Sequence, residues 1–570
     1  MKKEYPIYIN RKSPCYANDH LGNSGCPAKN DIPRFLYLIF LRRFEEAFYI
    51  LKETNPFSAG CGRFCDHPCE TSCNRAKFDQ PVDIKALERF VTDWGYHKGL
   101  KPKIKKDYNG KQVAIIGSGP AGLSCAYFLA LHGYRTKIFE EHENPGGILF
   151  EGIPSFRYPR EILYKELSYI KDCGVEIKTN YFVDKNRFIN IAEEFDAVIA
   201  ATGAISPNLP GIEGDTIKRV ENGVEFLRKV NTGHTEEVKI AKGEKVGVIG
   251  GGYTAFDVAR VLLRLGADAS VIYRRTVDEM TAHPGEVSEV SKEGASFHFL
   301  RQPVKITKKN GTLHMLCQVM KMGPVDESGR AKPIPVQGKS ENFIFDRIIM
   351  ATGDKPDLFF VGESFTLEFP RLYCPDMPEH LRDKIFLSGD AAMGTVESTG
   401  MVVKVVGLAQ ETSDAVRNYL GENIINAESR EIAYYKDLNI KYFQKSSRMV
   451  EKTISIEERK GNFKEIIETI DEDLAVSMAS RCFFCGICIQ CDWCYFYSNG
   501  SLVKIDKKWI SDIDEFFYYY IKDKIQPASY KSVEACPRAA LSVIKEGTKG
   551  EKYIEKQYIG LNDIDEEDNG

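Results

Sequence analysis

Val113-Ala-Ile-Ile-Gly117-Ser-Gly119-Pro-Ala-Gly122 runs an apolar strand into a glycine-rich turn, and an apolar helix then carries the chain to His132-Gly133. The strand that follows, Thr136-Lys-Ile-Phe-Glu140, closes on a carboxylate. Further along, Val246-Gly-Val-Ile-Gly250-Gly-Gly252-Tyr-Thr-Ala255 repeats the pattern, with a helix to Leu265-Gly266 and the strand Ser270-Val-Ile-Tyr273. Laid on each other without gaps, Gly117 meets Gly250, Gly133 meets Gly266 and Glu140 meets Tyr273. In such a unit the first glycine allows the tight turn, the second lets backbone approach a pyrophosphate, and the third packs helix on strand. The anion then lies at a helix N-terminus, where free N–H groups and the dipole favour negative charge. Two units predict two Rossmann-like α/β nucleotide-binding domains.

The two copies differ at their closing residue. Glu140 can accept hydrogen bonds from a ribose 2′-hydroxyl, so Gly117, Gly119, Gly122 and Glu140 suit FAD. In the second copy (Gly250, Gly252, Ala255) Tyr273 replaces the carboxylate, and Arg274 and Arg275 follow. A 2′-phosphate needs cations, so this copy favours NADPH over NADH.

Around these units, 570 residues exceed what one ordinary core accommodates, so three or more domains are expected. A net charge of −4 with no basic stripe interleaved with aromatics excludes a nucleic-acid binder. No secretory signal follows Met1, and the early apolar patch Phe35–Leu41 is far short of a membrane span. Both point to the cytoplasm. The expected organisation is a helical iron–sulfur domain over 1–107, an FAD domain over 108–235 and 345–420, and an NAD(P)H domain over 236–344. A polar, helical-looking connector over 421–470, a ferredoxin-like α+β domain over 471–545 and an acidic tail over 546–570 complete the chain.

Sixteen cysteines are unevenly placed. Cys15, Cys26, Cys61, Cys65, Cys69 and Cys73 precede residue 75; Cys482, Cys485, Cys488, Cys491, Cys494 and Cys536 follow residue 480. Cys125, Cys173, Cys317 and Cys374 are scattered between and read as packing residues. In a reducing compartment such clusters mean metal or redox centres rather than disulfides. Cys488-x2-Cys491-x2-Cys494 with a remote Cys536-Pro537 is how a two-cluster bacterial ferredoxin holds one of its clusters. The position of its second Cys-Pro is Ser498-Asn499 here, so one cluster persists and the other is lost. Cys482 and Cys485 either shift the register of ligation or hold another metal. Zinc is the competing occupant at either end of the chain.

Several stretches resemble the glutamate synthase small-subunit family, which includes the NADPH-oxidising half of dihydropyrimidine dehydrogenase and the large subunit of flavin-based transhydrogenases. Gly146-Gly147-Ile148-Leu149, with Gly152-Ile153-Pro154 and Phe156-Arg157, resembles the family's flavin-covering segment. Asp196-Ala-Val-Ile-Ala-Ala-Thr202-Gly203 and Met350-Ala-Thr352-Gly353-Asp354 resemble its two Ala-Thr-Gly turns. Phe386-Leu-Ser-Gly389-Asp390 resembles the turn whose Asp contacts FAD. Tyr273-Arg274-Arg275-Thr276 with Glu279-Met280 is similar to its NADPH-site pattern. By this resemblance Gly147, Ile148, Arg157, Thr202, Gly203, Gly353, Gly389 and Asp390 join the cofactor contacts. Two departures stand out: Tyr253 occupies a position where the family commonly has Asn, and Thr399-Gly400-Met401-Val402-Val403 is an unusual flavin-pyrimidine stretch.

Asn55-Pro-Phe-Ser-Ala-Gly-Cys61-Gly-Arg-Phe-Cys65-Asp-His-Pro-Cys69-Glu-Thr-Ser-Cys73, then Pro81-Val-Asp-Ile84 and Leu87-Glu88, resembles the family's N-terminal iron–sulfur domain. The resemblance implies a 4Fe-4S cluster on Cys26, Cys65, Cys69 and Glu88, with Cys61 outside the ligand set. Cys15 and Cys73 remain from a second cluster whose two further upstream ligands are missing. Two clusters, roughly eight irons, are therefore expected. NADPH gives two electrons at once and clusters accept one, so the flavin is the converter and no side-chain acid or base is required. The implied role is an electron-input subunit serving a catalytic partner subunit or ferredoxin. An electron-bifurcating transhydrogenase-type subunit is the alternative. A disulfide reductase, for want of a Cys-x2-Cys in either nucleotide domain, and a scaffold with degenerate sites fit less well.

Overall fold

The computed structural model describes residues 4–8, 11–17, 24–104, 107–208, 211–325, 330–361, 364–392, 400–424, 431–489, 491–505, 517–520 and 531–545. The expected acidic tail and Thr399 lie outside the described residues.

Four helices, Ile32–Phe40, Phe44–Thr54, Ser58–Phe64 and Ile84–His97, build the N-terminal lobe. The first opens on Asp31, whose side chain accepts from the Arg34 N–H (3.3 Å), with Pro33 in its first turn. Its buried Phe35, Leu36 and Ile39 meet Phe48, Leu87 and Val91 in one core that continues into the helix Pro120–Leu131. All twelve residues of that helix are buried, as its apolar sequence on every face requires. Polar contacts fasten the same seam. The Tyr127 hydroxyl donates to the Lys52 carbonyl (2.7 Å), and Glu166 accepts from the Ala59 N–H (2.8 Å). Burial lowers Lys52 to about 8, and its ammonium donates to the Pro56 carbonyl (2.9 Å) and to Tyr96 (2.7 Å).

Two parallel sheets carry the duplicated units. The first has seven strands in the order Thr366–Glu368, Arg371–Tyr373, Ile385–Leu387, Ala197–Ala200, Gln112–Ile116, Arg135–Phe139 and Glu176–Lys178; the last five are mutually parallel. The second is parallel throughout, in the order Ser296–Phe299, Asp268–Tyr273, Lys245–Ile249, Arg347–Met350 and Val220–Asn222. Their central strands are continuous apolar runs because helices or loops cover both faces. An antiparallel sheet of Arg301–Lys309, Thr312–Val325 and Ala331–Phe345 flanks the second. Val220–Asn222 and Arg347–Met350, on either side of 236–344, pair within the second sheet.

The connector differs from its helical expectation. Between 431 and 470 only Ile456–Arg459 is α-helical, with short 3-10 turns at Tyr435–Asp437 and Ile440–Tyr442. The rest is an extended strap pinned at intervals. Arg448 pairs with Glu70 and Asp83 (both 2.6 Å), and Ile466 enters the core of the second nucleotide domain. Such spaced anchors fix an extended chain without helical periodicity.

The C-terminal lobe contains the hairpin Leu502–Ile505 with Phe517–Tyr520, the helix Lys531–Ala535 and the strand Leu541–Lys545. That last strand pairs antiparallel with Glu4–Tyr8, so the two ends of the chain share a sheet.

A buried ion cluster locks the strap to the second domain. Glu293 accepts from Arg260 (2.7 Å), Arg264 (2.6 Å) and Arg459 (3.1 Å). Burial raises the carboxyl, but hydrogen bonds from Arg264 and Arg260 outweigh it and hold it at about 2. Glu293→Gln strands these buried cations, so chemical denaturation near pH 7 is expected to show a loss of about 3 kcal/mol. A carboxyl depressed on folding stabilises above its unfolded value, so the gap between wild type and variant should shrink as pH falls below about 4.3 toward 2.

Candidate functional site

Backbone geometry fixes the two nucleotide turns in parallel ways. Gly117 has φ +100, and a Cβ there would stand 2.6 Å from the Ala201 carbonyl oxygen. Gly250, at φ +148, would place one 2.2 Å from the Ala351 carbonyl oxygen. Each carbonyl belongs to the Ala-Thr-Gly turn ending the neighbouring parallel strand, Ala201-Thr202-Gly203 or Ala351-Thr352-Gly353. The duplication therefore extends to those turns, and each glycine is required by its opposite carbonyl. Gly122 packs on the Gly117 carbonyl, where a Cβ would come within 2.0 Å. Gly252 caps the helix Tyr253–Arg264, and Ala255 is buried in its first turn.

Gly119 differs: its φ of −67 is unstrained, and a Cβ would meet nothing within 4 Å. The open space at this helix N-terminus is the cradle a pyrophosphate needs. Gly146-Gly147 backs it; at φ +52, Gly147 would bring a Cβ 2.9 Å from the Gly119 Cα. Buried Glu140 accepts from the Ser118 N–H (2.8 Å) and Oγ (2.6 Å) through one oxygen and from the His142 N–H (2.8 Å) through the other. Gly389, at φ +65, packs on Ala121, and Asp390 accepts from the Gly400 N–H (3.2 Å). The Thr202 Oγ1 is buried without a hydrogen-bond partner. A buried hydroxyl left unpaired costs about 1–3 kcal/mol, which a cofactor edge would recover. Cradle, carboxylate and orphaned hydroxyl together fit FAD.

The second unit separates its two arginines. Tyr273 lies over Gly251 and donates to the Glu279 carbonyl (2.8 Å). Arg274 is exposed, whereas Arg275 is buried and its Nε donates to the Ala331 carbonyl (3.1 Å). Arg157 faces the second domain: its guanidinium meets both Asp257 oxygens (3.0 and 2.9 Å) and stacks 5.3 Å above the Tyr253 ring. Tyr253 in turn donates to Asp66 of the N-terminal lobe and accepts from the His283 N–H (3.0 Å). These contacts tie three domains together, and no sequence spacing announces them. Ile148 is largely exposed beside the cradle.

The cysteines form three groups. In the first, Cys26 faces Glu88 and Cys65, and Cys69 faces Cys26 and Cys65. Backbone N–H groups of Asn30 and Ala28 reach the Cys26 sulfur, and that of His67 reaches the Cys65 sulfur (3.3 Å). One Glu88 oxygen accepts from Asn30 (3.1 Å) and Asn55 (3.3 Å), while the other lies 3.5 Å from His67 Nε2. His67 carries no spacing signal that sequence reading could use. Cys61 is buried close to Glu88 and Cys65. In the C-terminal group, Cys488, Cys494 and Cys536 share a small core, and Cys536 faces Cys491. The Cys491 sulfur accepts from Arg538 (3.5 Å). Cys15, Cys73, Cys482 and Cys485 make a third group between these two. Among the described residues, no three His, Cys, Asp or Glu side chains converge closely enough to share one metal ion. Tetrahedral zinc at 2.3 Å would need sulfurs about 3.8 Å apart. A cubane, with one ligand per iron, takes sulfurs set wider apart than zinc does. N–H donors aimed at buried sulfurs suit thiolate ligands.

A family model described as pyridine nucleotide-disulphide oxidoreductase matches residues 111–404, and one described as dihydropyrimidine dehydrogenase domain II, 4Fe-4S cluster, matches residues 9–100. The NADPH-Fe(3+) oxidoreductase subunit beta of Geobacter sulfurreducens is 32% identical over 505 residues, covering 81% of this chain and 74% of its own. The NADP(+)-dependent formate dehydrogenase subunit beta of Moorella thermoacetica is 33% identical over 503 residues, covering 81% and 69%. The glutamate synthase [NADPH] small chain of Escherichia coli is 30% identical over 416 residues, covering 69% and 87%. Among the described residues no helix is long and apolar enough to cross a membrane.

Because Gly119 is unstrained and its Cβ direction is open, Gly119→Val should fold normally while filling the cradle. Circular dichroism should match wild type, with bound FAD falling at least about tenfold, the equivalent of 1.4 kcal/mol. Undiminished FAD would place the pyrophosphate elsewhere.

Proposed function

The chain belongs to the pyridine nucleotide-disulphide oxidoreductase family, and on that premise we propose that it is the electron-input subunit of a larger enzyme, drawing on NADPH and serving a catalytic partner subunit. When bound, FAD would supply a hydride acceptor for NADPH and 4Fe-4S clusters a one-electron relay. The chain's own residues bind and orient. Gly119 opens the pyrophosphate cradle, Glu140 and Thr202 offer hydrogen bonds to the flavin nucleotide, and exposed Arg274 meets the 2′-phosphate of NADPH. Arg275 instead supports the strand end that presents Arg274.

The observation that carries this reading is the rigid junction between flavin cradle and first cysteine group. The helix Val402–Tyr419 packs against the helix behind the glycine-rich turn. Its Gln410 donates to the carbonyls of Ala28 (2.8 Å) and Thr54 (2.7 Å), and its Gly407 abuts the Pro27 carbonyl beside Cys26. Such a junction fixes the distance an electron must cross. A disulfide substrate finds no counterpart: Cys125, Cys173, Cys317 and Cys374 are each buried, and the Cys125 thiol rests on the Ala409 carbonyl (3.7 Å). Sixteen free thiols suit a reducing compartment, the cytoplasm. A partner subunit is in keeping with relatives named as beta subunits and a small chain.

Arg274→Ala is expected to weaken NADPH by about 1–3 kcal/mol in binding titrations and leave NADH nearly unchanged. Equal weakening of both, or a wild-type preference for NADH, would remove Arg274 from the 2′-phosphate. Anaerobic addition of NADPH to the purified chain should bleach the flavin. Chemical reduction should yield paramagnetic cluster signals; their complete absence would sink the relay.

A further inference from the structure

Cys482 and Cys485 continue the every-third-residue run of the C-terminal cysteines, yet they turn away from it. Phe484 (φ +51) and Gly486 (φ +76), on either side of Cys485, both adopt left-handed backbone, and the Ile487 N–H closes a turn on the Phe484 carbonyl (3.2 Å). Gly486 is pressed so tightly on the N-terminal segment that a Cβ would stand 2.6 Å from the Arg11 carbonyl oxygen. The Arg11 N–H donates back to the Gly486 carbonyl (2.9 Å), and the Ser13 hydroxyl donates to the Cys485 carbonyl. On the other side, the Asn74 amide donates to the Cys485 sulfur (3.3 Å) and to the Ala433 carbonyl (2.8 Å). Arg75 donates to the Arg481 carbonyl, and Arg481 reaches the carbonyls of Pro81 (3.0 Å) and Gln80 (2.9 Å). The segment 481–486 is thus stitched between the segments that carry Cys15 and Cys73.

The four thiols face one another. Cys73 and Cys482 pack against the core that contains Cys15, and Cys15 and Cys73 are each close enough to Cys482 and Cys485 to act on them electrostatically. Cys15 and Cys485 are buried, with Cys73 and Cys482 half-buried beside them. Donors converge on their sulfurs: the Phe484 N–H on Cys482 (3.3 Å), Asn74 on Cys485, and the backbone N–H groups of Arg75, Ala76 and Val82 on Cys73. Amide donors favour thiolates, and four thiolates enclosed together require a cationic centre. The resemblance of residues 55–88 left Cys15 and Cys73 without two ligands; Cys482-x2-Cys485 stands where two are needed.

We propose that Cys15, Cys73, Cys482 and Cys485 bind one 4Fe-4S cluster, half of its ligands coming from each end of the chain. The protein then holds three clusters. The site also lies on a path: Cys69 of the first group faces Cys15, and Arg538, beside Cys482 and Cys485, donates to the Cys491 sulfur of the C-terminal group. The composite cluster is the link between the flavin-side cluster and the C-terminal one. This extends the electron-input reading, and its failure would leave the flavin and the Cys26 cluster untouched.

Iron and acid-labile sulfide are measured per FAD in the full chain purified anaerobically, with Mössbauer spectra to count clusters. About twelve irons in three clusters are expected; eight irons in two clusters, or zinc at this site, overturns the proposal. Cys15→Ala and Cys482→Ala should each remove about four irons, and the double variant the same four, because both act on one cluster. Cys488→Ala should remove a different four, additive with either. Losses from Cys15→Ala and Cys482→Ala that add to eight would assign them to separate sites and overturn the proposal. Retained FAD certifies that each variant has folded; for one that loses FAD, the wild-type cluster count decides.

Discussion

Buried sulfur is the constraint on which the rest depends. A thiol shielded from water is held protonated and packs as a small apolar group, so only where several cysteines are to serve together as thiolate ligands must they gather around a positive centre. No single segment here supplies a complete set. Cys26 joins Cys65, Cys69 and Glu88 across a helical lobe, and Cys536 returns from beyond a hairpin to the Cys488–Cys494 run. The two ends of the chain also meet outside the cysteines: Glu4–Tyr8 pairs with Leu541–Lys545, and Arg448 of the strap pairs with Glu70 and Asp83.

The nucleotide domains obey a different constraint, steric and local. At each unit a positive-φ glycine faces the carbonyl of an Ala-Thr-Gly turn on the adjacent strand, and in the first unit the helix N-terminus at Gly119 is open. The two units then diverge through side chains. A carboxylate braces the first turn, whereas an aromatic ring fills the space above Gly251 in the second and leaves Arg274 exposed. Arg157 with Asp257, and Tyr253 with Asp66, bridge the domains, so nicotinamide side, flavin side and cluster lobe are positioned as one unit.

The legible features were those that backbone sterics impose on neighbouring residues. Gly117, Gly250 and the Ala-Thr-Gly carbonyls they face could be read because only certain residue types survive at such φ angles and approaches. The strands could be read because buried parallel strands are continuous apolar runs. What escaped was decided by contacts between distant segments. Arg275 reads like Arg274 until the strand beginning at Ala331 captures it, and the strap's anchors have no period to detect. The sequence left Cys482 and Cys485 open between two roles, and the left-handed backbone of Phe484 and Gly486 on either side of Cys485 is not announced by the spacing.

The central claim is that electrons exchanged at the nicotinamide traverse the chain to the C-terminal lobe. Freeze-quenched Mössbauer spectroscopy tests it directly, following all iron while NADPH is added to oxidised protein or NADP+ to chemically reduced protein. Iron held by Cys488, Cys491, Cys494 and Cys536 should change oxidation state along with the flavin in at least one of these directions. If the flavin and the Cys26 cluster respond while that iron stays unchanged in both directions, the C-terminal lobe is not on the path.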